Sequence, residues 1–329
     1  MQGTSALENN TTASNNTAVG TFAMIANTEG HSNTAVGKGS MTTNTVAVSN
    51  TAVGFESLKV MTGTGDGRNT AIGFQSGVAL TTGNRNVFAG SVSGQAVTTG
   101  DKNVLIGNNA GGSITTVDDI VAIGAGALDS NTSGTFNTAV GTNALGANTT
   151  SAQNTAVGHS ALDATSTGGQ NTAIGNDALG ANTTGVQHTA VGKDALLTIT
   201  TANNCTAVGF NALKLNTAGG NTALGHQALQ DNSTGEANVA IGQNVAAQNT
   251  TGSTNIAIGN NTMTANTTGS RNIAIGHAAY QASDTENDNM AIGYDAMTAN
   301  TAGGADNIAI GNYALTALTS GDACIALGV

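Results

Sequence analysis

The chain has 329 residues, a formal net charge of −11, no proline, and only 8% charged and 3% aromatic residues. Globular domains carry about 25% charged residues, and disordered chains are rich in charge and proline. This chain is 39% hydrophobic and fits neither class. Its composition is typical of a repetitive, backbone-dominated β structure. The negative charge argues against a nucleic-acid partner, because its phosphates would be repelled.

The N-terminal residues, MQGTSALENN, contain neither a basic segment nor an apolar one, so no secretory signal peptide is visible. No run of about 18 apolar residues follows, so the sequence predicts no membrane insertion. A chain that is complete at this end is expected to be made in a cytoplasm and to leave it only by lysis or another route.

A repeat begins at the N-terminus and continues to the end of the chain. Its marker is the glycine that closes NTAVG or a variant of it, which we call the anchor glycine. The anchor glycines are Gly3, Gly20, Gly37, Gly54, Gly73, Gly90, Gly107, Gly124, Gly141, Gly158, Gly175, Gly192, Gly209, Gly225, Gly242, Gly259, Gly276, Gly293, Gly311 and Gly328. Sixteen of the 19 intervals are 17 residues long, and the other three are 19, 16 and 18. We interpret residues 1–329 as one continuous array with a loop insertion near residues 59–68.

The consensus unit is N-T-A-V-G-x-x-A-L-x-x-N-T-T-G-x-x. It is too short for a two-helix repeat, which needs about 33 residues or more. It suits one coil of a β-solenoid in which two short strands, NTAVG and xxALx, are joined by polar turns such as NTTG. Coils that stack at about 4.8 Å predict an all-β, parallel β-solenoid of about 20 coils.

The four residues before each anchor glycine include no Asp, Glu, Lys or Arg in any of the 19 complete strands. The first is Asn in 15 strands, the second is Thr in ten and Val, Ile or Met in nine, the third is almost always Ala, and the fourth is always aliphatic. Strand side chains alternate between faces, so both faces are uncharged, as in a strand that is buried on both sides. One face can pack inside the coil, and the other needs a partner surface. We therefore predict parallel association into a homotrimer.

Two of these columns are predicted to have structural or interface roles, and the sequence leaves open which face lines the interface. The aliphatic column directly before the anchor glycine comprises Val19, Val36, Val53, Ile72, Ile106, Ile123, Val140, Val157, Ile174, Val191, Val208, Ile241, Ile258, Ile275, Ile292 and Ile310. The Asn column, four residues before the anchor glycine, is expected to be semi-buried with its amides hydrogen-bonded along the stack. It is represented by Asn137, Asn154, Asn171, Asn221, Asn238, Asn255 and Asn272.

Three residues that replace Asn in this column carry other chemistry. Cys205 and Cys324 lie seven coils apart, about 33 Å at the strand spacing, whereas a disulfide needs Cα atoms within about 7 Å. We expect buried free thiols, with interchain contacts near an axis as the alternative. His188 is expected to face inward and to be satisfied by hydrogen bonds.

The remaining candidate residues favour no catalytic, cofactor or metal site. His159, His226 and His277 directly follow an anchor glycine, and we expect them at the surface, although in a trimer each would form a ring of three imidazoles that suits a metal. The acidic pair Asp118 and Asp119 is isolated, and no Ser, His and acid set recurs at positions that one coil could bring together. The sequence predicts a protein that is not an enzyme.

The motifs NTAVG and NIAIG, the latter at residues 255–259 and 272–276, resemble the motif of the left-handed β-roll heads of trimeric autotransporter adhesins, whose repeat is shorter. The 17-residue form resembles repeats in tail-fibre and other appendage proteins of tailed bacteriophages. This resemblance implies a left-handed β-roll, a homotrimer, and a self-cleaving chaperone domain that follows the fibre. The chain ends mid-coil at ACIALGV, so further sequence or another protein is expected to cover that end.

The sequence thus predicts a structural fibre or adhesion protein, located in a virion appendage or a cell-surface fibre, that positions or contributes to host attachment. Its expected partners are further copies of itself, a C-terminal chaperone or tip protein, and a host cell-surface glycan. Two alternatives stay open: the head domain of a bacterial trimeric adhesin, and an ice-binding β-solenoid that uses the Thr column. The exposure of the Thr column distinguishes the ice-binding alternative from a fibre, because an ice-binding face must be open to solvent and a trimer interface is closed.

Overall fold

The computed structural model describes residues 3–63, 66–299 and 303–328, which fall into two compact units, 1–167 and 168–329. All of the strands have three residues, and these ranges contain no helix. The first unit contains β1 (Thr17–Val19), β2 (Thr34–Val36), β3 (Thr51–Val53), β4 (Thr70–Ile72), β5 (Val87–Ala89), β6 (Val104–Ile106), β7 (Val121–Ile123), β8 (Thr138–Val140) and β9 (Thr155–Val157). The second contains β10 (Thr172–Ile174), β11 (Thr189–Val191), β12 (Thr206–Val208), β13 (Thr222–Leu224), β14 (Val239–Ile241), β15 (Ile256–Ile258), β16 (Ile273–Ile275), β17 (Met290–Ile292), β18 (Ile308–Ile310) and β19 (Ile325–Leu327).

Within each unit, every strand pairs in parallel with the strand of the next coil. The pairing is in register, so that Thr34 lies beside Thr51 in the first unit and Ile256 lies beside Ile273 in the second. One repeat is therefore one turn of the chain, and the predicted all-β, parallel β-solenoid with a 17-residue repeat is confirmed. The solenoid has about 18 turns rather than about 20, since a complete turn runs from one strand to the next.

The prediction of a second strand in each coil is wrong, because the xxALx segment is a run of tight turns. After β8, Asn143 and Leu145 have φ angles of 56° and 52°, in the left-handed region that strands do not use. Their N–H groups bond to coils on opposite sides, Asn143 to the Ala125 carbonyl and Leu145 to the Ala161 carbonyl, each at 3.0 Å. A left-handed leucine costs about 1–2 kcal/mol, which burial of its side chain, worth about 1.5–3 kcal/mol, can offset.

The core lies between the strand and this run of turns. The middle residue of every strand is Ala except in β5 and β6, where it is Phe88 and Leu105, and both are fully buried. In most coils a Leu or Met, four residues after the anchor glycine, packs opposite the strand, but around β5 and β6 that position is Gly77, Gly94 and Gly111. A Cβ atom on Gly77 would lie 2.6 Å from the Phe88 ring, and one on Gly94 would lie 2.7 Å from it. In these coils the strand, rather than the turn, supplies the large side chain of the core.

The anchor glycine is required by the stacking of the coils. Gly141 has a φ of 137°, and a Cβ atom there would lie 2.3 Å from the carbonyl oxygen of Gly158 in the next coil. That contact is with backbone, which cannot move aside without breaking the ladder, and L-residues rarely adopt this φ. The same close approach explains why glycine recurs at this position throughout the array.

The predicted insertion near residues 59–68 lies in the coil between β3 and β4, and two of its residues, 64 and 65, fall outside the described residues. On the N-terminal flank, the N–H groups of Thr62 and Gly63 both donate to the Thr81 carbonyl at 2.9 Å. On the C-terminal flank, the N–H of Gly67 donates to the Val48 carbonyl at 3.1 Å. Both flanks of the insertion are thus bonded to neighbouring coils.

Candidate interaction face

The first and third residues of each strand point away from the core, and together they form what we call the outward face. The middle Ala is buried in all 17 strands that carry it except β1 and β19, where it is partly exposed. The strand alternation predicted from the sequence is therefore confirmed: Asn and Ala point inward, and Thr or Val and Ile point outward. Every residue of the predicted aliphatic column lies on the outward face, and none of them is fully buried in the single chain. Their role at an interface remains a prediction.

The outward face is most apolar in the second unit, from β14 to β19. Here both outward columns are aliphatic, whereas β10–β13 carry Thr in the first. The twelve side chains are Val239, Ile241, Ile256, Ile258, Ile273, Ile275, Met290, Ile292, Ile308, Ile310, Ile325 and Leu327. Ile256 and Ile310 are each 38% exposed, which is high for isoleucines in a strand whose neighbours are all apolar. Contiguous apolar surface of this kind marks an interaction site.

The Asn column is buried from Asn33 to Asn307, and only Asn16, at its N-terminal end, is partly exposed, which corrects the expectation that the column is semi-buried. Asn238 is typical: its Nδ2 donates to the Gly252 carbonyl at 2.8 Å, and its Oδ1 accepts the N–H of Asn255 at 2.9 Å. Its own N–H donates to Oδ1 of Asn221 at 2.9 Å. An amide carries both donors and an acceptor, so each Asn satisfies two backbone groups that would otherwise be unpaired inside the coil.

A second buried Asn column, seven residues after the anchor glycine, was missed in the sequence. Asn249 donates through Nδ2 to Oδ1 of Asn232 at 2.6 Å and to the Gly252 carbonyl at 2.9 Å, and Asn266 continues the ladder at 2.7 Å. Its members recur mostly every 17 residues as the first residue of NTTG or a variant of it, which the sequence predicts to be a polar turn. Six coils replace this Asn with apolar residues, namely Met61, Leu80, Val97, Ile114, Ile199 and Leu318.

His188 reproduces the hydrogen bonds of the Asn that it replaces, as expected. Its Nε2 lies 2.8 Å from the Ala202 carbonyl, and its Nδ1 accepts the N–H of Cys205 at 3.2 Å. This pattern fits the neutral tautomer with the proton on Nε2. Burial lowers the pKa of His188, because a buried imidazolium would lose its hydration.

Both cysteines are free, as predicted, and they differ in exposure. Cys205 is buried, with its Sγ 3.3 Å from the Ala218 carbonyl, and burial raises the pKa of its thiol. Cys324 is only half-buried, so the expectation of a buried thiol is wrong for this residue. The alternative that these residues make interchain contacts remains a hypothesis.

The three histidines that follow an anchor glycine are exposed, as expected from their position. His226 stacks on Phe210 with 5.4 Å between ring centroids, and His277 stacks on Tyr294 at 5.1 Å. Within the described ranges, no group of three or more His, Cys, Asp or Glu side chains is placed to hold a metal ion. Metal binding by rings of these histidines requires a trimer and stays a hypothesis.

The described part of the chain includes no helix that is long and apolar enough to span a membrane. The strongest candidate site is therefore the outward face, which is uncharged throughout and aliphatic over β14–β19. No protein-family model matches this sequence, and no curated protein matches it either.

Proposed function

We propose that this chain is a left-handed, homotrimeric β-roll segment of an appendage fibre, of the kind found in the tail fibres of tailed bacteriophages. Three parallel copies meet through their outward faces, and the assembly positions or contributes to attachment at a host surface. A C-terminal chaperone or tip protein and a host-surface glycan are its further partners.

The observation that carries this proposal is that the outward face has no charged residue although its side chains are partly exposed in the single chain. Full burial of an exposed Ile or Val contributes about 1.5–3 kcal/mol, so completing the burial of a half-exposed one contributes on the order of 1 kcal/mol. Of the twelve outward side chains in β14–β19, four are exposed and the other eight are partly exposed in the single chain, and their combined burial would drive association. Parallel copies in register would place like residues at the same height, so no coil would bury a charge.

The test is the mass of the purified chain in solution, measured by light scattering. A trimer has a mass of about 96 kDa, three times the 32.0 kDa of one chain. A mass of 32.0 kDa, which leaves the outward face open to water, would refute the trimeric fibre.

Two variants connect that mass to the outward face. Ile275→Asp places a carboxylate at the predicted interface and should yield monomers, because an unpaired buried charge costs several kcal/mol. Gln187→Asp makes the same charge change at an exposed position outside the strands, and it should leave the trimer intact. A trimeric mass for both variants would show that the copies do not meet at Ile275.

A second candidate function is ice binding, which the placement of the Thr column favours. The ten strand threonines all begin their strands on the outward face, in register, and all are at least partly exposed in the single chain. Such a column can order water only if the face stays open. A monomeric mass together with thermal hysteresis would favour ice binding, and a trimer without hysteresis would exclude it.

A further inference from the structure

Half of the charged residues of the first unit lie along one edge. Between residues 66 and 119 the chain has seven charges, and six of them lie five or six residues before an anchor glycine, with the seventh beside them. They are Asp66, Arg68, Arg85, Asp101, Lys102, Asp118 and Asp119. Charged residues recur at these repeat positions in the second unit, but only one of them, Arg271, is a cation, and it is ion-paired with Asp288. It also begins at the insertion, and insertions in solenoids commonly form the binding face.

The backbone holds this row in a fixed ladder. The N–H of Arg85 donates to the Gly67 carbonyl at 2.7 Å, and the N–H of Lys102 donates to the Asn84 carbonyl at 2.9 Å. The carboxylate of Asp101 is fixed as well, because its Oδ1 accepts the N–H of Asn84 at 2.7 Å. Such a ladder presents its side chains from a backbone that has little conformational entropy left to lose on binding.

An open cleft of about 350 Å³ lies along this ladder and is lined by Asp66, Asn84, Arg85, Asp101 and Lys102. Arg68 is paired with Asp66, and Lys102 lies 3.8 Å from Asp119, a long ion pair. By contrast, Arg85 is exposed, and no carboxylate among the described residues lies within 4.0 Å of its guanidinium. The cleft thus offers an unpaired fork of N–H donors between two carboxylates.

A second open cleft, of about 280 Å³, continues along the same edge. Its lining includes Asp118, Thr135 and Phe136, and the Phe136 side chain is 63% exposed. The two clefts adjoin, because the N–H of Asp101 donates to Oδ1 of Asp118 at 2.7 Å. Together they form a groove with charged and amide groups at one end and an aromatic ring at the other.

We propose that this groove binds a chain of neutral sugars from a host-surface glycan. A sugar ring presents hydroxyl groups, which both donate and accept hydrogen bonds, and a C–H face that is apolar. The carboxylates accept from hydroxyls, the Arg85 guanidinium donates to them, and the Phe136 ring covers the C–H face.

Charge balance selects this ligand class over ions. The row holds three cations and four carboxylates, so a free anion would meet repulsion from Asp66 and Asp101, and a metal cation would meet Arg85 and Lys102. A neutral, hydroxyl-rich ligand can form hydrogen bonds with both the cations and the carboxylates of the row. This inference rests on the proposed attachment function and deepens it by giving the partner's chemistry and place.

The experiment measures binding of the full-length protein to a panel of immobilised bacterial polysaccharides, neutral and acidic, by surface plasmon resonance. Phe136→Ala and Arg85→Gln should each weaken binding to a neutral member by about tenfold or more, as is usual for aromatic and arginine anchors. The matched controls, Phe210→Ala and Arg271→Gln, change an exposed aromatic residue and an arginine of the second unit, and should alter binding by less than about twofold.

Three results would overturn the groove: no polysaccharide binds, the groove variants bind as tightly as their controls, or only acidic members bind and high salt abolishes the binding. The third result would indicate an anion site. The mass of each variant, measured on the same samples, separates this proposal from the proposed function. A monomeric wild type would refute the proposed trimeric fibre. A trimer whose glycan binding is unchanged by Phe136→Ala and Arg85→Gln would refute only the proposed groove.

Discussion

Phe88 tests whether the core compensates for residue size between coils. Phe88 is fully buried in β5, and it fills the space left by Gly77 and Gly94 in the turns on either side of it. Phe88→Ala installs the residue that all but one of the other strands carry, but it leaves those glycines opposite a void. The variant should lose about 3–5 kcal/mol, the usual cost of truncating a buried Phe.

Refilling the void from the turn should recover much of this loss. Leu58 and Leu128 occupy the equivalent turn position in other coils with φ angles of 47° and 51°, and Gly94 has a φ of 58°. A leucine at Gly94 therefore needs no new backbone conformation. Alone, Gly94→Leu should destabilise the protein by about 1–3 kcal/mol or more, because its Cβ atom would lie 2.7 Å from the Phe88 ring. In the double variant the two changes should compensate.

The assay is a double-mutant cycle on the full-length protein. Denaturant unfolding gives the overall loss, and amide hydrogen exchange at Val87 and Val104 gives the local one, where each 1.4 kcal/mol speeds exchange by about tenfold. A double variant at least as stable as Phe88→Ala would establish the exchange of volume. Strictly additive losses, or a loss below about 1 kcal/mol for Phe88→Ala, would refute it.

Three further predictions concern single positions. As the pH falls through about 6.5 and below, the wild-type protein should lose stability, because His188 binds a proton in the unfolded chain but not in the folded one, where its pKa is lowered. His188→Asn should remove this pH dependence from the denaturation midpoints. Gly141→Ala should cost more than about 2 kcal/mol in thermal unfolding, since it combines strain with a backbone clash, whereas Gly180→Ala, with no Cβ contact nearer than 3.2 Å, should be close to neutral. Cys324 should react with iodoacetamide well before Cys205, whose thiol is buried and has a raised pKa; equal rates would contradict the assigned burial.

The period of the repeat and the alternation of the strand could be predicted from the sequence because each rests on one local rule. A residue column with a single composition implies a single environment, and three-residue strands obey the two-residue period. The same reasoning failed at Ala144 and Leu145, which are adjacent and both fully buried. No strand can bury two successive side chains on one face, so this pair was a sign of turns with left-handed residues. Their φ angles depend on hydrogen bonds to other coils, which sequence periodicity does not reveal.

Other features were visible in the sequence but required the columns to be compared with one another. Phe88 and Leu105 are the strand residues that depart from Ala, and the glycines opposite them depart from Leu in the same coils. The groove could not be predicted from the sequence. Arg85 and Phe136 share a repeat position, but their exposure and the clefts beside them depend on how the turns stack next to the insertion.

The exchange of volume between strand and turn also limits how this array can lengthen or shorten in evolution. Unequal recombination adds or removes whole coils, and where neighbouring coils both pair a strand Ala with a turn Leu, as around β8 and β9, the event leaves the core unchanged. A breakpoint beside β5 would instead separate Phe88 from Gly77 or Gly94 and leave either a hole or an overlap. The coils around β4–β6 are therefore expected to be inherited as a block, while uniform coils elsewhere vary in number between related chains.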